Sequence, residues 1–257
     1  MSEFSTFVKL SAALLFFEFA FSVPLDAQYP TCLEAIQFQK RAELAESRLN
    51  DWPMLNYYKL ENGKVKPATA GEQRVVFMGD SILGLWFFPQ DFPGRPYLNR
   101  AIGGQDTSQM LLRFRTDVVA LAPKVVIIMG GINDLRHSQS AETIHYVEGN
   151  LASMAEIARS NGIRVVFGSI TPITETSNKT AMQETPLQKA ILAVNMWLKD
   201  YTNRSGQQYM DVYAELVDDK KGFRADLTVD GLHPSRKGYQ IMAPIVTKAI
   251  QAALSSP

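Results

Sequence analysis

What is scarce in this chain narrows it before any motif is read. Only one of its 257 residues is a cysteine, Cys32, so neither an intrachain disulfide nor a cysteine cluster can form. Three histidines are too few for a histidine-built metal site, and no metal or other cofactor is expected. Charge of neither sign prevails: Lys plus Arg is 26 and Asp plus Glu is 26, so no net field favours nucleic acid or an acidic polymer. Phosphate-binding glycine patterns are missing as well. No Gly-x-Gly-x-x-Gly follows the first strand-like run, and the pair Gly103-Gly104 lacks the Lys-Ser/Thr of a phosphate loop. There is no internal repeat and no low-complexity tract. The length suits one large domain or two small ones, with a core that needs no disulfide.

Apolar runs long enough to span a bilayer are absent too. Near the N-terminus Lys9 precedes Leu10 to Phe17, then Glu18 interrupts, then Phe19-Ala20-Phe21 follows. A short basic flank and an apolar segment of this length predict a signal peptide over residues 1–27, with Ala20-Phe21-Ser22 or Leu25-Asp26-Ala27 before the cut. The expected location is therefore secreted or periplasmic, with no stable membrane insertion after processing. Thr31 before Cys32 does not resemble a lipoprotein attachment sequence. Residues 28–72 read as an N-terminal helical extension. An amphipathic helix spans 31 to 49, Asp51-Trp52-Pro53 opens a short helix through Tyr57-Tyr58, and 61 to 72 is a loop.

From residue 73 to 257 the pattern is that of alternating strands and helices. Val125 to Met129 and Ile163 to Gly168 are continuous apolar runs, as is the stretch Arg74 to Met78. Tyr97 to Ala101 is a weak strand and Tyr209 to Tyr213 a fifth. Helices are predicted from Gln109 to Leu121, Ala141 to Ser160, Pro186 to Tyr201, and Ser235 to Leu254. Apolar strands alternating with helices imply an α/β fold, three layers deep, with a five-stranded mainly parallel sheet covered on both faces.

Four loops stand out at strand ends or just before the last helix. They are Gly79-Asp80-Ser81, Ile102 to Thr107, Gly130 to Asp134, and Asp230-Gly231-Leu232-His233-Pro234. By itself the first is either a helix cap or a nucleophile turn. Together the loops hold a hydroxyl, glycine amides, a side-chain amide, a carboxylate and an imidazole, the parts that serine acyl transfer needs. Loops of this kind converge at one edge of a parallel sheet.

These blocks resemble those of the GDSL/SGNH hydrolases over about residues 73 to 250. Gly79-Asp80-Ser81 matches the nucleophile block, Asn99-Arg100-Ala101-Ile102-Gly103-Gly104 the glycine block, Gly131-Ile132-Asn133-Asp134 the Gly-x-Asn-Asp block and Asp230 to Pro234 the Asp-x-x-His-Pro block. The resemblance implies a flavodoxin-like SGNH hydrolase fold, with Ser81, Asp230 and His233 as the catalytic residues. It further implies an oxyanion hole made by the N–H groups of Ser81 and Gly104 and the Asn133 side chain. Two positions depart from common forms: Ile82 stands where many members have Leu, and Ala101 where close relatives often have Gly. No Gly-x-Ser-x-Gly surrounds Ser81, so the ordinary α/β-hydrolase elbow is not indicated.

The implied activity is that of a serine esterase on short-acyl or acetyl esters of a small molecule or oligosaccharide. O-acyl transfer to carbohydrate and lysophospholipid or thioester hydrolysis are the alternatives. Trp86 and Phe87 either line the acyl site or pack the first helix, and His137 is a further ionisable group expected near the pocket. Asp80 and Asp134 are expected to serve turns and caps. Arg113 and Arg115 read as a solvated helix face. Asn178-Lys179-Thr180 and Asn203-Arg204-Ser205 fit the glycosylation pattern.

Overall fold

Residues 32–174 and 184–255 are described in the computed structural model. The leader 1–27 and the Asn178 triplet lie outside the described residues. The chain divides into two units between Asn50 and Asp51. The first contributes a single described helix, α1 (Cys32–Asn50).

The second unit opens with turns over 51–58 rather than the expected short helix. Asp51 takes the N–H groups of Leu55 and Asn56 on its carboxylate at 2.8 and 3.0 Å. Met54 adopts φ 58°, a left-handed conformation that a helix does not admit. A short helix, α2 (Lys59–Lys64), then runs into the expected loop. In chain order there follow β1 (Val75–Gly79), α3 (Ser81–Gly84), α4 (Phe88–Asp91), β2 (Tyr97–Asn99), α5 (Thr107–Asp117), β3 (Val125–Met129) and α6 (Ile132–His137). Then come α7 (Ala141–Ser160), β4 (Arg164–Gly168), α8 (Pro186–Ser205), β5 (Gln208–Met210), α9 (Tyr213–Leu216) and α10 (Arg236–Ser255).

The strands form one sheet in the order β2-β1-β3-β4-β5, and every neighbouring pair is parallel. Because side chains alternate along a strand, Val76 and Met78 point to one face and Val75 and Phe77 to the other. The first face packs with Val126 and Ile128 under Phe114 of α5, Leu151 of α7 and Val194 of α8. The second packs with Val125 and Ile127 under Phe88, Phe92, Met242 and Val246. All five residues of β1 and of β3 are buried, which is why both read as unbroken apolar runs. The strand order reverses direction between β1 and β3, the kind of point where ligands bind in open α/β sheets.

Several boundaries differ from the sequence reading, and three of them have a clear local reason. Helix α5 starts at Thr107 because Asp106 and Gln109 form a reciprocal capping box. Helix α8 runs on to Ser205, where Gly206 at φ 69° ends it. Strand β5 stops at Met210, since the Asp211 carboxylate accepts from Ala214 N–H at 3.1 Å and turns the chain into α9.

Candidate active site

The nucleophile turn is built by close approach and by capping. A Cβ on Gly79 would lie 2.4 Å from the Met129 carbonyl oxygen, so only glycine fits the last position of β1. Asp80 then caps α3, its Oδ1 accepting from Ile82 N–H at 2.9 Å, and Ser81 becomes the first helical residue. Three further contacts hold this turn. Tyr239 of α10 donates its hydroxyl to Ile82 O at 2.9 Å, and Asn99 Nδ2 donates to Leu83 O at 2.8 Å. Ile102 N–H donates to Gly79 O at 3.0 Å.

The second part of the site is the loop before α10. Asp230 Oδ1 accepts from the N–H groups of Leu232 and His233 at 3.0 and 2.8 Å, which curls the loop around its own carboxylate. Thr228 Oγ donates to His233 O at 2.8 Å. Gly231 adopts φ 88°, and a Cβ there would meet Thr174 O at 2.7 Å. Thr174 N–H in turn donates to Gly231 O at 2.8 Å.

This folding aligns three side chains. His233 Nδ1 lies 2.6 Å from Asp230 Oδ2, and His233 Nε2 lies 3.0 Å from Ser81 Oγ. The carboxylate fixes the tautomer, so that Nδ1–H donates to Asp230 and Nε2 accepts from the Ser81 hydroxyl. Burial opposes ionisation of Asp230, but the hydrogen bonds from His233 and Leu232 outweigh it and pull its pKa down to about 2. Asp230 is therefore a carboxylate at any working pH. Its side chain is half exposed, so the site opens at the surface.

The glycine loop runs beside the nucleophile. A Cβ at Gly103 would stand 3.6 Å from Ser81 Cβ. Among the described residues, the N–H groups of Ser81 and Gly104 have no hydrogen-bond acceptor. Asn133, buried on α6, donates one Nδ2–H to Gln105 O at 2.8 Å and keeps the other. The four loops thus meet at the carboxyl ends of β1 and β3.

That geometry can be set beside known proteins. Residues 84–241 match the model of the GDSL-like lipase/acylhydrolase family, more than half of the chain. The chain belongs to the GDSL-like lipase/acylhydrolase family. A structure of a putative acylhydrolase from Bacteroides fragilis NCTC 9343 is 33% identical, covers 79% of this chain and 99% of its own, and superposes with a TM-score of 0.72. A GDSL-like lipase from Bacteroides thetaiotaomicron VPI-5482 is 34% identical over 78% of this chain and 98% of its own, with a TM-score of 0.71. A curated Bacillus subtilis (strain 168) protein, the uncharacterized lipoprotein YqeF, is 36% identical over 85 residues, which are 32% of this chain. This chain matches only about a third of that protein's length, 35%. For this family member the parallel sheet and the α/β layering agree with the sequence reading.

The other candidate residues fall differently. Trp86 does not line an open pocket: its indole is 3% exposed, stacks on Tyr239 at 4.9 Å and donates to Asp91 Oδ2 at 2.8 Å. Ile82, Leu83, Trp86 and Phe88 are drawn together into the core, and this explains the difference. Phe87 is exposed, and His137 is exposed at the end of α6, with no hydrogen bond to the triad among the described residues. Asp134 caps α5 by accepting from Thr107 N–H and Oγ–H, the latter at 2.7 Å. Burial raises its pKa against those bonds.

Arg113 reverses its sequence reading. It is fully buried, not solvated, and reaches Gln105, Arg100, Asp117 and Gly79. Gln105 and Arg113 are the residues that sequence reasoning missed. The available signal was Asp117 four residues beyond Arg113, a spacing that more often marks a surface ion pair.

Proposed function

We propose that this family member is a serine carboxylic-ester hydrolase working through an acyl-serine intermediate. The observation that carries the reading is the unbroken chain of contacts from Ser81 Oγ through the His233 imidazole to the Asp230 carboxylate, 3.0 and 2.6 Å. In this mechanism Ser81 Oγ attacks the ester carbonyl while His233 Nε2 takes the hydroxyl proton. Asp230 stabilises the imidazolium that forms. Negative charge on the carbonyl oxygen is met by the N–H groups of Ser81 and Gly104 and by the remaining Asn133 N–H. The tetrahedral species collapses, the C–O bond to the alcohol breaks, and His233 protonates the departing oxygen. Water then gives its proton to His233 and attacks the acyl carbon; Ser81 leaves with its proton restored and the acid departs.

Short acyl groups, acetyl included, are the substrates this reading favours. Ile82, Leu83 and Trp86 fill the core side of the nucleophile turn, so a long chain would have to lie along the surface. An open triad suits a small-molecule or oligosaccharide alcohol. The test is a panel of acetyl, butyryl and long-chain aryl esters, acetylated xylan, lysophospholipid and acyl thioester, with wild type beside Ser81→Ala. Release of short acyl groups should fall about 10⁶-fold in the variant. No Ser81-dependent release from any member would sink the reading. Transfer of acyl to sugar faster than to water would make the protein an O-acyltransferase, and preference for lysophospholipid or thioester would displace the short-acyl assignment.

Export belongs to the same proposal. No described helix is long and apolar enough to cross a membrane. The lipoprotein designation of the similar Bacillus protein supports a place outside the cytoplasm. Mass spectrometry of the mature N-terminus should show residues 1–27 removed; a protein that retains Met1 would refute the cleavage.

A further inference from the structure

We propose that Arg113 is a positioning residue for the oxyanion side of the site, acting through Gln105 on Gly104 and Asn133. The proposal rests on the esterase reading, because it assigns a job within that reaction. The guanidinium is fully buried and makes four bonds. Nε donates to Gln105 Oε1 at 2.5 Å, Nη1 to Arg100 O at 2.6 Å and to Asp117 Oδ2 at 3.1 Å, and Nη2 to Gly79 O at 3.3 Å. One rigid fork therefore holds both ends of the glycine loop, at Arg100 and Gln105, and the residue two before the nucleophile. Gln105, itself buried, passes this on: its carbonyl accepts the Asn133 amide at 2.8 Å, and its N-terminal neighbour is Gly104.

Stability of α5 does not account for this arrangement. Arg113 and Asp117 are both fully buried, and removing two charges from water costs several kcal/mol before their attraction offsets it. Asp117 sits in the last turn of α5, where a carboxylate opposes the helix dipole, and the order Arg then Asp at i, i+4 is the weaker one for a helix. Apolar residues of the same volume would fill the space at no greater cost. What they would not supply is a set of diverging donors fixed on loop carbonyls. A guanidinium does so, and the loop it fixes carries the Gly104 N–H and orients Asn133.

The experiment uses the full-length protein and the preferred ester from the panel. Arg113→Met should lower kcat about 100-fold, the cost typical of misplacing a reacting group by about an ångström, with KM changed less than about threefold. Gln105→Met, which removes the side-chain bonds and leaves the carbonyl, should lower kcat about tenfold, and stands in if Arg113→Met does not fold by circular dichroism. The two positions are then combined with Asn133→Ala. If Arg113 acts through Asn133 and Gly104, its effect shrinks in the Asn133→Ala background. A purely structural role predicts the same factor in both backgrounds, and that result overturns the proposal. Should wild type show no Ser81-dependent turnover, the esterase reading fails by itself. The brace is then read from the Asn133 side-chain amide signals in ¹⁵N–¹H spectra: displaced or broadened signals in Arg113→Met or Gln105→Met support it, and unchanged signals refute it.

Discussion

Asp80 offers a measurement of how far the nucleophile turn is sealed from water. Its side chain is 1% exposed, with one oxygen on Ile82 N–H. Burial pushes its pKa up from the ordinary 3.8 to about 7, against the Ile82 bond, with the nearby Asp134 charge pushing the same way and His233 opposing. Between those two values the folded protein binds a proton that the unfolded chain has released. The slope of unfolding free energy with pH is therefore negative across this window. Stability from the protonated carboxyl is fully present below about pH 4 and is lost as pH rises through about 7. The gap is about 3 pH units, and at 1.36 kcal/mol per unit the loss approaches about 4 kcal/mol by pH 8.

Asp80→Asn removes the titration while keeping an oxygen for the Ile82 cap. Urea unfolding of both proteins from pH 4 to pH 8 isolates the effect, because every other group is common to the pair. The variant should lose less stability than wild type as pH rises, with the two curves separating by about 4 kcal/mol across the range. Asp230 acts in a different window with the opposite sign: its pKa is lowered to about 2, so its contribution is present above 3.8 and falls only as pH drops toward 2. Parallel stability curves for wild type and Asp80→Asn between pH 4 and 8 would refute the argument, for they would mean that Asp80 keeps its ordinary acidity in the fold.

Two further outcomes follow from packing and loop geometry. Trp86→Ala should cost about 3–5 kcal/mol in denaturant unfolding, as for other large aromatic truncations in a core, while KM for short esters changes little; a large rise in KM with stability intact would place the indole in the substrate site after all. Gly231→Ala forces a side chain into a left-handed backbone and against Thr174 O, and should cut kcat about 100-fold by displacing His233, read in ester turnover at saturating substrate. Full activity in that variant would show that the loop does not govern the imidazole.

The parts of this fold that were legible in the chain are those whose physics is local. β1, β3 and β4 lie in the interior of the sheet, so their residues are apolar on both faces and read as runs. β2 and β5 are three-residue edge strands, and half-buried positions such as Tyr97 and Gln208 leave no such run. The triad loop was legible for the same reason: Asp230 and His233 bind each other within three residues of chain. Arg113 was not, because its meaning comes from Gly79, Arg100 and Gln105, none at a spacing that a helix pattern displays. Trp86 was ambiguous for the converse reason. An aromatic run beside a nucleophile suits a pocket and a core equally, and only the position of Tyr239, 153 residues on, decides for the core.

The nucleophile itself shows why so much of the site depends on distant chain. Helix α3 has four residues, far below the length at which a helix holds itself in water. Its geometry must be imposed from outside. Asp80 fixes Ile82 N–H, Tyr239 fixes Ile82 O, Asn99 fixes Leu83 O, and Ile102 and Arg113 share Gly79 O just before it. Tyr239 belongs to the helix that follows His233, so one contact links the base to the nucleophile. Asn99 precedes the glycine loop and Ile102 lies in it, so two others link the oxyanion donors to the nucleophile. The serine is thus held by the same groups that place its partners, and a disturbance to the glycine loop or to the helix after His233 reaches Ser81 by way of a named hydrogen bond.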